Sequence, residues 1–206
     1  MLDLEKEYYS DKVKVIAGTD EAGRGPLAGP LVVGAVIFPK GYKNEDINDS
    51  KQLTAKKREE LFEVIKRDAL AYSIKIISVE DIDKLNILNA DKKGMKEALL
   101  ELNPQPDLVL TDAVPLLNLP FPAVPIIKGD AKALCIAAAS ILAKVTRDRL
   151  MMELDKKYPD YGFAKHKGYG TKKHIEVIEK YGPIEGVHRK TFEPVKEYFS
   201  DQIKLF

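Results

Sequence analysis

Two adjacent carboxylates and the glycine-rich turn that follows them are the residues of this chain best suited to chemistry. Asp20 and Glu21 end an apolar stretch, and Gly23-Arg24-Gly25 comes directly after them. Carboxylate oxygens bind hard divalent cations, and glycine amides beside an arginine can approach a phosphate group closely. A metal site next to a phosphate-binding turn predicts chemistry on a phosphodiester.

Two other interpretations of this stretch are open. Acidic residues and glycine are common in turns, so the segment could be an ordinary hairpin turn. The spacing of Gly23, Gly25 and Ala28 also matches the glycine pattern of dinucleotide-binding proteins. That interpretation is disfavoured because Leu31–Phe38 predicts a strand, whereas a dinucleotide site needs a helix after the glycines.

Two further aspartates stand at the ends of apolar segments. Asp112 closes Leu108–Asp112, and Asp130 follows Ala123–Lys128. Ligands of open α/β sheets bind where the strands end, so neighbouring strands would bring all four acids to one edge. Taken singly, each acid could instead be a turn residue, and Asp130 could cap the helix that follows it.

Clustered carboxylates raise one another's pKa values unless cations neutralise them. Two divalent ions about 3.5–4 Å apart can activate a water molecule and stabilise a departing oxygen. The single cysteine, Cys135, is expected in the core, and His166, His174 and His188 lack the spacing of a zinc motif. The oxygen-rich set therefore predicts a two-ion site for Mn²⁺ or Mg²⁺.

The elements that must position these residues follow from the apolar periodicity, which predicts an α/β layer fold. Strands are expected at Val13–Thr19, Leu31–Phe38, Ala69–Ile77, Leu108–Asp112 and Ala123–Lys128. Helices are expected at Ala55–Asp68, Val79–Leu85, Ile87–Leu102, Ala131–Lys157, Thr171–Tyr181 and Glu193–Lys204, and a loop at Tyr158–Thr171. We expect residues 1–158 to form the catalytic core and residues 159–206 a loop and helical segment that completes the binding surface.

Composition and charge restrict the binding partners and the cellular compartment that we expect for the protein. The net charge is only +1, but residues 132–206 carry 15 Lys and Arg against 10 Asp and Glu, which favours that third of the chain as the surface for a polyanion. One cysteine excludes an intramolecular disulfide. The charged N-terminus and the lack of a long apolar run argue against a signal peptide and a membrane span, so we expect a cytoplasmic monomer.

Together these residues make the chain resemble type 2 ribonuclease H, the bacterial ribonuclease HII family. The similarity runs through nearly the whole chain, and the order and spacing of its motifs are highly specific. The matching segments are Gly18–Pro26, Asp49–Leu53, Thr111–Asp112, Lys128–Asp130, Ala138–Arg149, His166–Thr171 and His188–Phe192.

The resemblance implies a ribonuclease H-like fold, a mixed five-stranded sheet flanked by helices, with a C-terminal helical extension. It implies that Asp20, Glu21, Asp112 and Asp130 are the metal-binding and catalytic acids. It further implies hydrolysis on the 5′ side of a ribonucleotide, leaving 5′-phosphate and 3′-hydroxyl ends. The implied substrates are RNA/DNA hybrids and duplex DNA that contains single ribonucleotides.

The residues expected to contact the substrate lie outside the acids. The 2′-hydroxyl separates RNA from DNA, and the backbone of Gly23, Arg24 and Gly25 can approach it closely. Tyr169 lies between two glycines, and the family's equivalent tyrosine stacks on the sugar that follows the ribonucleotide. Further candidate contacts are hydroxyl, basic or imidazole side chains: Ser50, Lys51, Ser140, Lys144, Arg147, Lys165, His166 and Lys167.

Two other function classes share parts of the pattern. A DNA junction resolvase of the same superfold would keep the carboxylates, but the Gly23–Gly25 turn together with Tyr169 favours ribonucleotide recognition. A non-catalytic nucleic-acid-binding module would lack some of the acids, and all four are present here. The end of the chain, Gln202–Phe206, loosely resembles a peptide that binds a sliding clamp, although we favour a helix end packed on the core.

Overall fold

Five apolar segments pair into one mixed sheet. The computed structural model describes residues 2–200, and its strands lie in the spatial order β3-β2-β1-β4-β5. The strands are β1 Ile16–Ala22, β2 Leu31–Ile37, β3 Ala71–Ile77, β4 Leu108–Asp112 and β5 Ala123–Ile126. β1, β2 and β3 pair antiparallel, whereas β1 with β4 and β4 with β5 are parallel. This confirms the mixed five-stranded sheet.

Helices cover both faces of the sheet. They are α1 Ala55–Asp68, α2 Val79–Leu85, α3 Ile87–Leu100, α4 Leu134–Lys157, α5 Phe163–His166, α6 Lys172–Tyr181 and α7 Val195–Ser200. α1 and α4 share one apolar cluster with β2, and α3 packs with β1, β2 and β4 in another. The predicted bounds of α1 are confirmed, including its Thr54 cap, whose side chain accepts a hydrogen bond from the Lys57 amide. Within residues 2–200, no helix has the length and apolar character that crossing a membrane requires.

The central helix α4 lies unusually close to the sheet because two strand residues have no side chain. A methyl group on Gly18 of β1 would overlap the backbone of Cys135 and Ile136, and one on Gly34 of β2 would overlap the carbonyl of Ala139. Small buried residues on α4 complete this contact. The start of α4 is thereby held against the strand that carries the first two acids.

Several predicted boundaries are wrong for local reasons. β1 begins at Ile16 rather than Val13, because the amides of Lys14 and Val15 donate to the carboxylate of Asp107. α4 begins at Leu134, after a 3₁₀ turn over Gly129–Ala131, so Asp130 does not cap it.

The C-terminal third also differs from its prediction. The expected loop at Tyr158–Thr171 contains the 3₁₀ turn Pro159–Tyr161 and helix α5. The last helix begins at Val195 rather than Glu193. The segment Gln202–Phe206, expected as a helix end and loosely similar to a clamp-binding peptide, lies outside the described residues.

We predict that Gly18→Ala destabilises the protein by about 1–3 kcal/mol, because the added methyl group overpacks a rigid backbone contact. Urea unfolding measures this difference. Gly25→Ala is the matched control, since a methyl group there meets only Tyr169 Cε1, at 3.7 Å. Equal stability of the two variants would contradict this account of the helix–sheet contact.

Candidate metal centre and nucleic-acid interface

Three of the four predicted acids meet at the edge of the sheet. Asp20, Asp112 and Asp130 each offer a carboxylate oxygen, and these oxygens all lie within 4.8 Å of one another. The register that pairs Thr19 with Thr111 brings the first two aspartates to the same edge. Asp130 is held there because the neighbouring Gly129 amide donates to Asp112 Oδ1 at 2.7 Å.

The cluster is buried and carries excess negative charge. Burial raises the pKa of Asp20 well above its usual value, and repulsion from Glu21 and Asp112 adds to the shift. Burial also raises the pKa of Asp112, although the hydrogen bond from Gly129 opposes this effect. Three close carboxylates in a low-dielectric setting form an oxygen donor set that fits a divalent cation.

Glu21 lies beside this cluster rather than within it. Successive strand residues point to opposite faces, and the Glu21 carboxylate accepts from Arg24 Nη1 at 3.4 Å. Its Oε2 atom is buried and has no hydrogen-bond partner in the described part of the chain. Burial raises the pKa of Glu21, while the Arg24 charge opposes the shift. One buried oxygen of the fourth acid is thus left for a further ligand.

The loop before α1 places one basic side chain, that of Lys51, beside the aspartate cluster. Lys51 Nζ lies 3.3 Å from Asp130 Oδ2, and its side chain is 75% exposed. The hydroxyl of Ser50, by contrast, is buried against that of Ser140, with the two oxygens 2.7 Å apart. Arg58 donates to the Ser50 carbonyl and fixes this loop. The Lys51 side chain therefore faces the aspartate cluster, whereas the buried contact between the two serines holds the loop in place.

Two buried arginines clamp the turn that follows β1. Arg147 donates to the carbonyls of Ala28 and Pro30, and Arg189 donates to those of Gly23, Arg24 and Gly29. Both side chains are almost fully buried, with Arg147 only 1% exposed. The expected direct contact between Arg147 and a nucleic-acid backbone is therefore wrong in this structure. Arg189, which sequence reasoning did not single out, shares this role.

The clamped turn and Tyr169 form one exposed surface. Gly23 adopts a φ of +105°, and a methyl group there would overlap the Arg147 guanidinium. Gly25 is open except for the Tyr169 ring. The Gly168 carbonyl accepts from the Leu27 amide at 2.8 Å, which joins the two loops, and Tyr169 is 47% exposed.

The remaining predicted contacts divide into two groups. Lys165 is exposed on α5, and Lys167 is half-buried in the loop that leads from α5 to Tyr169, where both lie near the surface expected to meet a polyanion. Lys144 is held by Asp148, with its Nζ 2.6 Å from Oδ1. His166 uses both ring nitrogens internally, accepting from the Gly168 amide and donating to the Tyr161 carbonyl, so it shapes the loop.

Two buried histidines support Tyr169 through a directional chain of hydrogen bonds. The Ile184 amide donates to His188 Nδ1, and His174 Nδ1 lies 2.9 Å from the Tyr169 carbonyl oxygen. A carbonyl only accepts, so His174 carries its proton on Nδ1 and its Nε2 is an acceptor. His188 must then donate from Nε2 across the 3.1 Å that separates the two Nε2 atoms. The chain therefore requires both rings to be neutral.

Asp91 on α3 is another residue that sequence reasoning missed. It is fully buried, and its Oδ2 lies 3.6 Å from Arg24 Nε. Burial raises the pKa of Asp91 to about 8, with repulsion from Glu21 adding to the shift and Arg24 opposing it. An acid on the apolar face of α3, four residues before the buried Met95, is the signal that could have revealed it.

Comparison with known proteins agrees with this geometry. The family model described as Ribonuclease HII matches residues 17–195. A ribonuclease HII of Ruminiclostridium cellulolyticum is 56% identical over 93% of this chain and 75% of its own length. One of Acholeplasma laidlawii is 52% identical over 94% of this chain and 95% of its own. The crystal structure of the ribonuclease H2 from Pyrococcus horikoshii matches with a TM-score of 0.78 and 28% identity, covering 93% of this chain and all of that one.

We predict that the contribution of His174 and His188 to the free energy of unfolding falls as the pH drops from about 6.5 towards 4. Burial lowers the pKa of His174 and of His188 to about 4, whereas an unfolded histidine titrates near 6.5. Within this window the two unfolded histidines bind protons that the folded pair excludes, so their contribution to stability decreases as the pH falls. The buried acids Asp20, Glu21 and Asp91 have raised pKa values and contribute in the opposite direction. The histidine contribution is therefore measured by urea unfolding of the wild-type protein and of a histidine variant at several pH values.

His188→Gln is the comparison variant, because its amide can donate to His174 while one titrating group is removed. The free energy of unfolding of the wild-type protein minus that of the variant should fall as the pH drops from 6.5 to 4. Parallel pH dependences would show that the histidine pair does not carry the effect.

Proposed function

The chain belongs to the ribonuclease HII family and is a hydrolytic endonuclease, and from this premise we propose its substrates and the roles of its residues. The proposed substrates are the RNA strand of RNA/DNA hybrids and single ribonucleotides embedded in duplex DNA. The proposed cut lies on the 5′ side of the ribonucleotide and leaves 5′-phosphate and 3′-hydroxyl ends. The observation that carries the proposal is a cluster of three aspartates, one of which, Asp20, lies on the strand that leads into the open glycine turn facing Tyr169.

The acids are proposed to hold two divalent cations, Mn²⁺ or Mg²⁺. Asp20, Asp112 and Asp130 supply clustered oxygens, and Glu21 adds a buried oxygen without a hydrogen-bond partner. When bound, such ions activate a water for attack on phosphorus and stabilise the departing 3′-oxygen. The protein itself holds the oxygen ligands together on a rigid strand edge, while Lys51 places a positive charge beside them.

The turn is proposed to read the sugar and the phosphate of the substrate. Neither Arg147 nor Arg189 forms an ion pair among the described residues, so their charges beneath the turn favour an approaching phosphate. The open backbone at Gly25 leaves room for a 2′-hydroxyl, the group that distinguishes RNA from DNA. The exposed Tyr169 ring stands beside that space and is proposed to stack on the following sugar.

The test of this proposal is a cleavage assay on a 5′-labelled DNA duplex that contains one ribonucleotide, with an all-DNA duplex as control. We expect metal-dependent cleavage only on the 5′ side of the ribonucleotide. Cleavage of the all-DNA duplex would favour a resolvase, and binding without cleavage under any metal condition would favour a non-catalytic module.

In the same assay, Asp112→Asn should reduce cleavage by at least about 100-fold, the scale expected when a principal electrostatic group is removed. Its substrate affinity at low metal concentration should stay close to that of the wild-type protein, because the aspartate faces the cations and not the duplex. Substantial residual cleavage would remove Asp112 from the catalytic set.

Tyr169→Ala should lose more activity on the single-ribonucleotide duplex than on a long RNA/DNA hybrid. The reason is that only the first substrate depends on recognition of an RNA–DNA junction by the tyrosine ring. Tyr169→Phe, which keeps the ring, should retain the wild-type ratio of the two activities. An equal loss on both substrates in Tyr169→Ala would reject this role.

A further inference from the structure

Asp91 is a buried acid whose carboxyl group lacks hydrogen-bond partners among the described residues. Its side chain is completely buried within the apolar face of α3, and neither carboxylate oxygen has a hydrogen-bond partner within residues 2–200. Burying a carboxylate without such partners is costly. The cationic group that the structure places beside it is the guanidinium of Arg24, whose Nε lies 3.6 Å from Asp91 Oδ2.

Arg24 is shared between this acid and a proposed metal ligand. Its Nη1 lies 3.4 Å from Glu21 Oε1, while its Nε faces Asp91. Both distances exceed those of a well-formed charged hydrogen bond, about 2.7–2.9 Å. The Arg24 guanidinium therefore lies between the carboxylates of Glu21 and Asp91 and forms a short hydrogen bond with neither of them.

We propose that Asp91 is a positioning residue that retains Arg24 at the base of the glycine turn and so leaves Glu21 free to bind a cation. This inference rests on the proposed function of the acidic centre. In the absence of Asp91, Arg24 could turn fully towards Glu21 and form the paired hydrogen bonds that guanidinium and carboxylate favour. That pairing would occupy the oxygens that a cation needs.

Asp91 suits this role because it is fixed on a buried helix face and cannot move along with the Arg24 side chain. It lies in the middle of α3, on the face that packs against the sheet, and its neighbours Ala90 and Met95 are fully buried. Arg24 is less confined, since 45% of its side chain is exposed.

The test is Mn²⁺ binding in the absence of nucleic acid, measured at pH 8 by the electron paramagnetic resonance signal of the free ion. Four proteins form a double-mutant cycle: wild type, Asp91→Asn, Arg24→Ala and the double variant. We expect Asp91→Asn to bind Mn²⁺ roughly threefold to tenfold more weakly, within the range of coupling between contacting residues. In the Arg24→Ala background the same substitution should have no effect, because the competing guanidinium is gone.

Two outcomes would overturn the proposal. Unchanged binding in Asp91→Asn would remove any influence of Asp91 on Glu21. The same weakening with and without Arg24 would show a general loss of negative charge instead of competition for the guanidinium. Asp81→Asn, which changes a half-exposed acid paired with Lys93, is the control and should bind like the wild type.

Two further measurements distinguish a failed role of Asp91 from a misfolded variant and from a failure of the proposed function. Circular dichroism checks that Asp91→Asn is folded, and Asp91→Ala repeats the cycle if the amide does not fit. Failure of the wild-type protein itself to bind Mn²⁺ would contradict the proposed function, whereas normal wild-type binding with an unchanged variant would contradict only the role of Asp91.

Discussion

Repulsion between carboxylates that the sheet forces together is the constraint on which the rest of the structure depends. Parallel pairing of β1 with β4 delivers Asp20 and Asp112 to one edge, and a backbone hydrogen bond attaches the turn that carries Asp130. Close packing of α4 on the glycines of β1 and β2 prevents the strands and this turn from moving apart. The acids cannot relax their repulsion by separating, so the fold favours a bound cation or a bound proton.

Contacts between distant segments of the chain also fix the shape of the surface beside the acids. Carbonyl groups of the turn after β1 accept hydrogen bonds from two buried arginines that lie far along the chain, Arg147 and Arg189. Tyr169 depends in turn on a chain of neutral histidines whose proton positions are set by backbone groups at either end. The C-terminal segment therefore does more than add positive charge: it fixes the shape of a loop near the beginning of the chain.

Local patterns explain which features could be predicted from the sequence. The bounds of α1 follow from one threonine cap and a regular apolar face, and the acids stand out because each ends an apolar strand. The direction of a side chain depends instead on tertiary contacts. The charged stretch of helix around Arg147 predicts a surface cation. In the structure its side chain is buried and donates to backbone carbonyls of the turn after β1. The surroundings of Glu21 likewise depend on Arg24 and Asp91, which lie on different parts of the chain.

The most direct test of the central claim is anomalous diffraction from crystals of the wild-type protein soaked in Mn²⁺. The account predicts anomalous peaks in contact with carboxylate oxygens of Asp20, Asp112 and Asp130, at the edge where β1 and β4 end. Strong peaks elsewhere, with the three aspartates making no contact to the ion, would contradict it.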